Sequence, residues 1–173
     1  MAGSPNSENA VTAIKSILGS DLAAKLDALD TAYGDDIVLE DPVDYWEQTL
    51  PQYDAFPCVV VVCRNTAWIP EQGPYDVHHH QIEIDVVTTD RYAGTESLKP
   101  QEELTRRLNR TAEAIVNTLF ASAASKKLTV SGTAHADRLY YVSTDRIQLR
   151  GFDDPDLQIM GFVTVNVEVR ISC

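Results

Sequence analysis

From His78 to Ser125 the chain commits first to a strand and then to a helix, each patterned for burial on one side. In Gln81-Ile82-Glu83-Ile84-Asp85-Val86 apolar and polar residues alternate, the period of a strand with one face in a core. After a polar bridge, Thr88 to Thr95, the period changes, and Leu104, Leu108, Thr111, Ile115 and Leu119 recur at helical spacing. This predicts a helix over about 98–124, ended by the basic pair Lys126-Lys127, which complements the helix dipole. A strand buried on one face followed by a helix buried on one stripe predicts a helix lying across a sheet.

The flanking sequence extends both layers. Val11, Ile14, Ile17 and Leu18 repeat at helical spacing, and Leu22, Leu26 and Leu29 follow. Gly19-Ser20-Asp21 interrupts them, so one kinked helix and two helices with Ser20 as a cap are both open readings. Tyr33-Gly34 ends the segment. Between residues 35 and 56 the chain is acidic and aromatic, and Pro42, Pro51 and Pro57 exclude long regular elements. Cys58-Val59-Val60-Val61-Val62-Cys63 reads as a central strand covered on both faces. With the strand at 78–89 it forms a hairpin whose extended tip, Arg64 to Val77, carries Trp68, Ile69 and Tyr75. Further strands are expected at Leu128–Thr133, at Arg138–Arg150, and at Val163 to Ile171, where valines alternate with Thr164, Asn166, Glu168 and Arg170. The expected fold is α/β (α+β): a mixed, mainly antiparallel sheet packed by a long central helix and an N-terminal helical segment. Residues 1–173 form one domain, with 1–34 the N-terminal segment.

Charge narrows the function. A formal net charge of −12 repels phosphate backbones and argues against nucleic-acid binding by charge neutralisation. The N-terminus has no basic region followed by an apolar core, and no apolar run is long enough to span a bilayer. Three cysteines at these spacings make no disulfide framework and read as buried small hydrophobes plus a terminal thiol.

Chemistry is sparse. His78-His79-His80 alternate across a strand, and only His135 could join them, so strand-entry histidines are preferred to a metal site. Asp153-Asp154-Pro155-Asp156 lacks the ligand order of a calcium loop and reads as a solvated turn. No nucleophile elbow, P-loop or dinucleotide fingerprint occurs, and His135–Asp137, Asp85 and Asp90 have no evident catalytic partner. Asn109-Arg110-Thr111 matches a glycosylation sequon in mid-helix, by chance. Arg106, Arg107 and Arg110 form the one basic cluster. Glu102–Arg106 and Glu103–Arg107 predict an ion-paired helix face that could still meet an acidic face of a neighbouring copy. On these residues the case for an enzyme or a metal site is weak.

The order of elements resembles that of the tail terminator proteins of long-tailed bacteriophages, and more loosely their neck and tail-completion relatives. The likeness covers Phe56 to Phe120: Phe56-Pro57-Cys58-Val59-Val60-Val61, then Gln81 to Val86, then the helix ending Ala114-Ile115-Val116-Asn117-Thr118-Leu119; the strand Gly161 to Ile171 fits too. The N-terminal helical segment and the 64–77 excursion depart from it. The resemblance implies a ring, usually of six copies, that caps the tail tube and faces the head-side neck or connector protein. It further implies no enzymatic activity and no cofactor, and that DNA passes through without specific binding, with assembly in the host cytoplasm and residence in the virion. On that reading Trp68, Ile69 and Tyr75, with Arg106, Arg107 and Arg110, are the candidate oligomer or tube interface. The alternatives are another neck or head-completion protein, or a small cytosolic α/β enzyme or ligand-binding domain using Asp85, Asp90 or the histidines.

Overall fold

Alternation in the last strand sets the architecture. In the computed structural model, which describes residues 7–47, 55–69, 77–91, 99–120, 128–130, 133–136, 138–151 and 158–172, β8 (Gln158–Ser172) is the strand every layer meets. Its Ile159, Val163, Val165, Val167 and Val169 are buried on one face. Along its whole length it pairs antiparallel with β3 (Val77–Arg91), which pairs antiparallel with β2 (Cys58–Ile69). A short β1 (Asp44–Trp46) adds to β2 in parallel. On its other side β8 pairs with β6 (Arg138–Thr144) and then β7 (Gln148–Gly151). The result is a six-stranded mixed sheet, ordered β1-β2-β3-β8-β6 with β7 also on β8. Beside it β4 (Leu128–Val130) and β5 (Thr133–Ala136) pair separately. The fold is α+β, as the sequence predicts.

Two helices bury the valine face. In α2 (Lys99–Phe120), Leu104, Leu108, Ala112 and Ile115 pack into one core with Ile84, Val86, Val163 and Val165. At Gly161 the approach is closest: a Cβ there would meet Leu108 Cδ1 at 2.5 Å and Leu104 Cγ at 3.2 Å. The bare backbone of β8 is the seat of α2.

The N-terminal segment is one helix, α1 (Ser7–Tyr33), which closes the alternative of two. A stripe of Ala10, Ile14, Leu18, Leu22 and Leu26, each fully buried, runs through the predicted interruption. Ser20 Oγ donates back to Ile17 O at 3.1 Å instead of capping a second helix. Gly34, at φ +60°, terminates α1 with its N–H on Asp30 O at 2.9 Å, the left-handed closure glycine favours. Gly19 is exposed, and a methyl group added there would find nothing within 4 Å. Gly19→Ala is therefore expected to stabilise the chain by about 0.5–1 kcal/mol, read by urea melts.

Three other boundaries differ from expectation. Thr88 to Arg91 is not a bridge but the end of β3, paired with Gly161 to Gln158. The described part of the 64–77 excursion is strand, because β2 and β3 stay paired out to Ile69 and Val77 past an irregularity at Cys63–Asn65. The 138–150 strand is two strands, β6 and β7, and the break is bridged by Asp145 N–H on Thr164 O at 2.9 Å. In β2, Cys58 to Val61 are buried on both faces as predicted, whereas Arg64 to Ala67 are exposed.

Candidate interaction surfaces

The arginine cluster on α2 is only partly available. Arg106 is exposed and ion-paired with Glu102, one turn away. The companion pair, Glu103–Arg107, is not formed among the described residues, and Arg107 Nε is buried without a partner there. Arg110 is 7% exposed. Its fork grips both oxygens of Asp35, and its guanidinium lies 3.9 Å from the centre of the Tyr33 ring, whose hydroxyl donates to Glu113 at 3.0 Å. The Arg110 hydrogen bond holds the Asp35 carboxyl down at about 2. Arg110 thus ties the end of α1 to α2 within the chain, a link across 75 residues that no local pattern announces.

Trp68 and Ile69 close β2 opposite His78 and Val77; their side chains, and all of Tyr75, lie outside the described residues. Register separates them from the arginines. His78 faces Ile171 on β8, while Leu108, between Arg106 and Arg110 on α2, sits on Gly161. Ten residues of strand span roughly 33 Å. Trp68 and Ile69 therefore lie at the other end of the sheet from the strand residue that seats Leu108.

The histidines diverge. His80 is buried, its Nδ1 3.0 Å from Thr66 Oγ1 and its Nε2 without a partner among the described residues, and burial pushes its pKa down. His79 points to the other face, with Nδ1 2.8 Å from Glu168 Oε1. Among the described residues no group of three or more metal-ligating side chains converges. The side chain of His135, Asp137, and the Asp153–Asp156 loop are outside the described residues. Cys58 is buried, and its thiol is pushed up to about 11 by that burial, a group kept protonated and unreactive at neutral pH.

Asp85 lies on the sheet face away from the helices, in a shallow depression of about 270 Å³ with Arg64, Glu83, Asp145, Arg146 and Arg150. Thr164 Oγ1 donates to it at 2.5 Å, Arg64 pairs with Glu83, and Asn166 holds Asp145 at 3.0 Å. The histidines are not there, and the Asp90 side chain is outside the described residues. Burial raises the Asp85 carboxyl above its ordinary 3.8, outweighing the Thr164 hydrogen bond. A carboxyl raised in the folded state gives stability that is present at low pH and lost as pH rises through the raised value. Asp85→Asn keeps an oxygen for Thr164 and removes the charge. Its Tm should exceed that of the unsubstituted chain at pH 7, with the gap closing as the pH approaches 3.8, in melts recorded across that range.

Exposed large hydrophobic side chains fall in two groups. Val38 (61% exposed) and Val43 (61%) lie on the strap between α1 and β2, with Tyr33 just before it. Tyr141, Val142 (57%) and Leu149 (38%) lie on β6 and β7. These strands form one edge of the sheet, and β1, which Val43 precedes, forms the other. Neither group is among the residues singled out from sequence. Alternation in Ile37-Val38-Leu39-Glu40, buried and exposed by turns, is the available signal for the strap.

The geometry defines an α+β chain in which, among the described residues, β2 beyond Val60 has no outer strand and Arg110 is braced on Asp35 within the chain. No family model matches the sequence, and no curated protein matches it. Among solved structures it is similar to a chain from the virion of a native gene transfer agent particle, at 16% identity over 88% of this chain and 92% of that one, with a TM-score of 0.46. At that identity and TM-score the likeness assigns neither family nor function.

Proposed function

We propose that this chain is a structural virion protein, a tail terminator whose copies form a ring that caps the tail tube and meets the head-side neck. It acts as one domain, α1 included, without catalysis or cofactor. Carrying this reading is the outer edge of the β2 arm: β1 covers β2 only from Cys58 to Val60, so β2 from Val61 onward pairs with no outer strand among the described residues. Soluble single chains blunt or cover such edges, and an edge left long and open suits an assembly partner. Strand β2 ends in Trp68 and Ile69, the first an aromatic of the kind favoured at interface cores, at the end of the sheet remote from Arg106. Two separate ends suit a ring with a tube side and a neck side. From β2 through β3 and α2 to the closing β8 the element order also follows the sequence resemblance, while the long α1 departs from it.

Negative-stain images of the purified chain mixed with tail tubes test this. The expected result is rings seated at one end of each tube. Rings that bind portal or head particles and ignore tubes would move the assignment to another neck or head-completion protein. A chain that stays monomeric and never joins a tube would sink it.

A further inference from the structure

The strap carries a charge pattern as one-sided as its hydrophobic one. From Asp35 to Glu47 there are six acids and no lysine or arginine. Arg110 neutralises Asp35, and Lys15 neutralises Glu47 at 3.2 Å. Asp36, Glu40 and Asp41 are exposed, with no ion-pair partner among the described residues. The strap is held rigid: Asp30 Oδ2 accepts the Leu39 N–H at 2.9 Å, Ile37 and Leu39 are buried, and Val43 N–H bonds Pro57 O at 2.8 Å. Val38, Glu40, Asp41 and Val43 are left exposed on an ordered segment.

At the other edge the sign reverses. Residues 138–151 hold three arginines and one acid, Asp145, which Asn166 already engages. Arg146 is exposed without an ion-pair partner among the described residues, and Arg150 is exposed with its guanidinium 5.2 Å from the Phe162 ring. Val142 and Leu149 flank them. In a chain of net charge −12 this basic, apolar edge is an exception, and the strap at the opposite edge matches it in both charge and hydrophobicity.

We propose that the β6–β7 edge of one copy docks on the 35–47 strap of the next, Arg146 and Arg150 against Glu40 and Asp41, Val142 and Leu149 against Val38 and Val43. This rests on the ring reading above and supplies its subunit contact. The occupant is a second copy because each surface complements the other, and because the two lie at opposite edges of one sheet and cannot meet within a chain. Such a contact is heterologous, and heterologous contacts propagate head to tail, giving a ring where the rotation closes. Side chains make it: the register shift between Tyr141 and Ser143 leaves Val142 as an extra residue, which interrupts the ladder a strand-on-strand addition would need.

Two charge reversals on the full chain test it, Arg146→Glu with Arg150→Glu, and Glu40→Lys with Asp41→Lys, followed by light scattering and sedimentation. All four side chains are exposed, so circular dichroism should match the unsubstituted chain and exclude misfolding. Arg146→Glu with Arg150→Glu adds carboxylates beside Glu83, Asp85 and Asp145, so a modest fall in Tm is expected of that pair alone. The unsubstituted chain should assemble, more weakly as salt is raised. Each reversed pair should weaken self-association at least about tenfold, and a 1:1 mixture of the two should restore it. Reversed variants that assemble like the unsubstituted chain would overturn this contact and leave the ring standing. Failure of the mixture to recover would also overturn it, assigning the patches to foreign partners. An unsubstituted chain that is monomeric at every concentration and also on tubes would overturn ring and contact together.

Discussion

Gly161→Val should lower stability by about 3 kcal/mol and Tm by roughly 6–12 °C, read by urea and thermal melts. Propensity alone gives the opposite sign, since valine suits the middle of a strand better than glycine. The clash decides. Even the first atom of a side chain at 161 would lie 2.5 Å from Leu108 Cδ1 and 3.2 Å from Leu104 Cγ. The Leu108 methyl is the flexible end of its side chain and can swing aside, but Leu104 Cγ is anchored near its backbone and both leucines are fully buried. Relief then requires α2 to lift from β8. Leu108→Ala separates the causes: if the clash dominates, Gly161→Val costs less in that background by about 1 kcal/mol or more. An unchanged or higher Tm for Gly161→Val alone would mean that α2 does not rest on β8.

That seat explains both what can be read in the sequence and what cannot. The stripe Leu104, Leu108, Ile115 and the valine alternation of β8 are each a local period, so the faces they bury are legible. Which leucine lands on which strand residue depends on partners about fifty positions away, and the glycine that permits the landing gives no signal beyond its identity. Helix α1 shows tertiary packing outvoting local sequence: Gly19-Ser20-Asp21 looks like a boundary, yet the buried stripe from Ala10 to Leu26 carries the helix through it. Polar residues after Val87 hide the end of β3 for a related reason. Thr88 to Arg91 are strand because β8 offers a ladder partner for each, whatever their hydropathy. For the candidate surfaces, Arg106 with Glu102 follows from i, i+4 spacing. Arg110 with Asp35 does not, and it converts one arginine of the cluster into an internal brace. The strap leaves only the short alternation of Ile37 to Glu40 as a signal, and the β6–β7 edge escapes because exposure there is a matter of what lies above a residue, which no period encodes.

Leu22→Ala should cost about 2–5 kcal/mol, a large part of the 5–15 kcal/mol that holds an ordinary domain together. Leu22 is fully buried among Ile14, Leu18 and Leu26 in the same core as Val59, Val61 and the α2 leucines. Leu29→Ala, at a half-buried position on the same helix, is the internal control and should cost less. The comparison bears on assembly. A helix that served as an arm, reaching onto a neighbouring copy, would lose stability on Leu22→Ala in proportion to how far the copies were associated, so the midpoint of unfolding would shift with protein concentration. A helix that belongs to its own core shows the same loss at every concentration. Tyr45 hydroxyl on Leu18 O at 3.4 Å, Leu39 N–H on Asp30 and the Arg110–Asp35 pair all fasten α1 and its strap to elements of the same chain. The expected result is therefore a concentration-independent loss of stability in Leu22→Ala. Subunit contacts are then left to the exposed side of the strap and to the sheet edges, since the helix beneath them is already committed to the core.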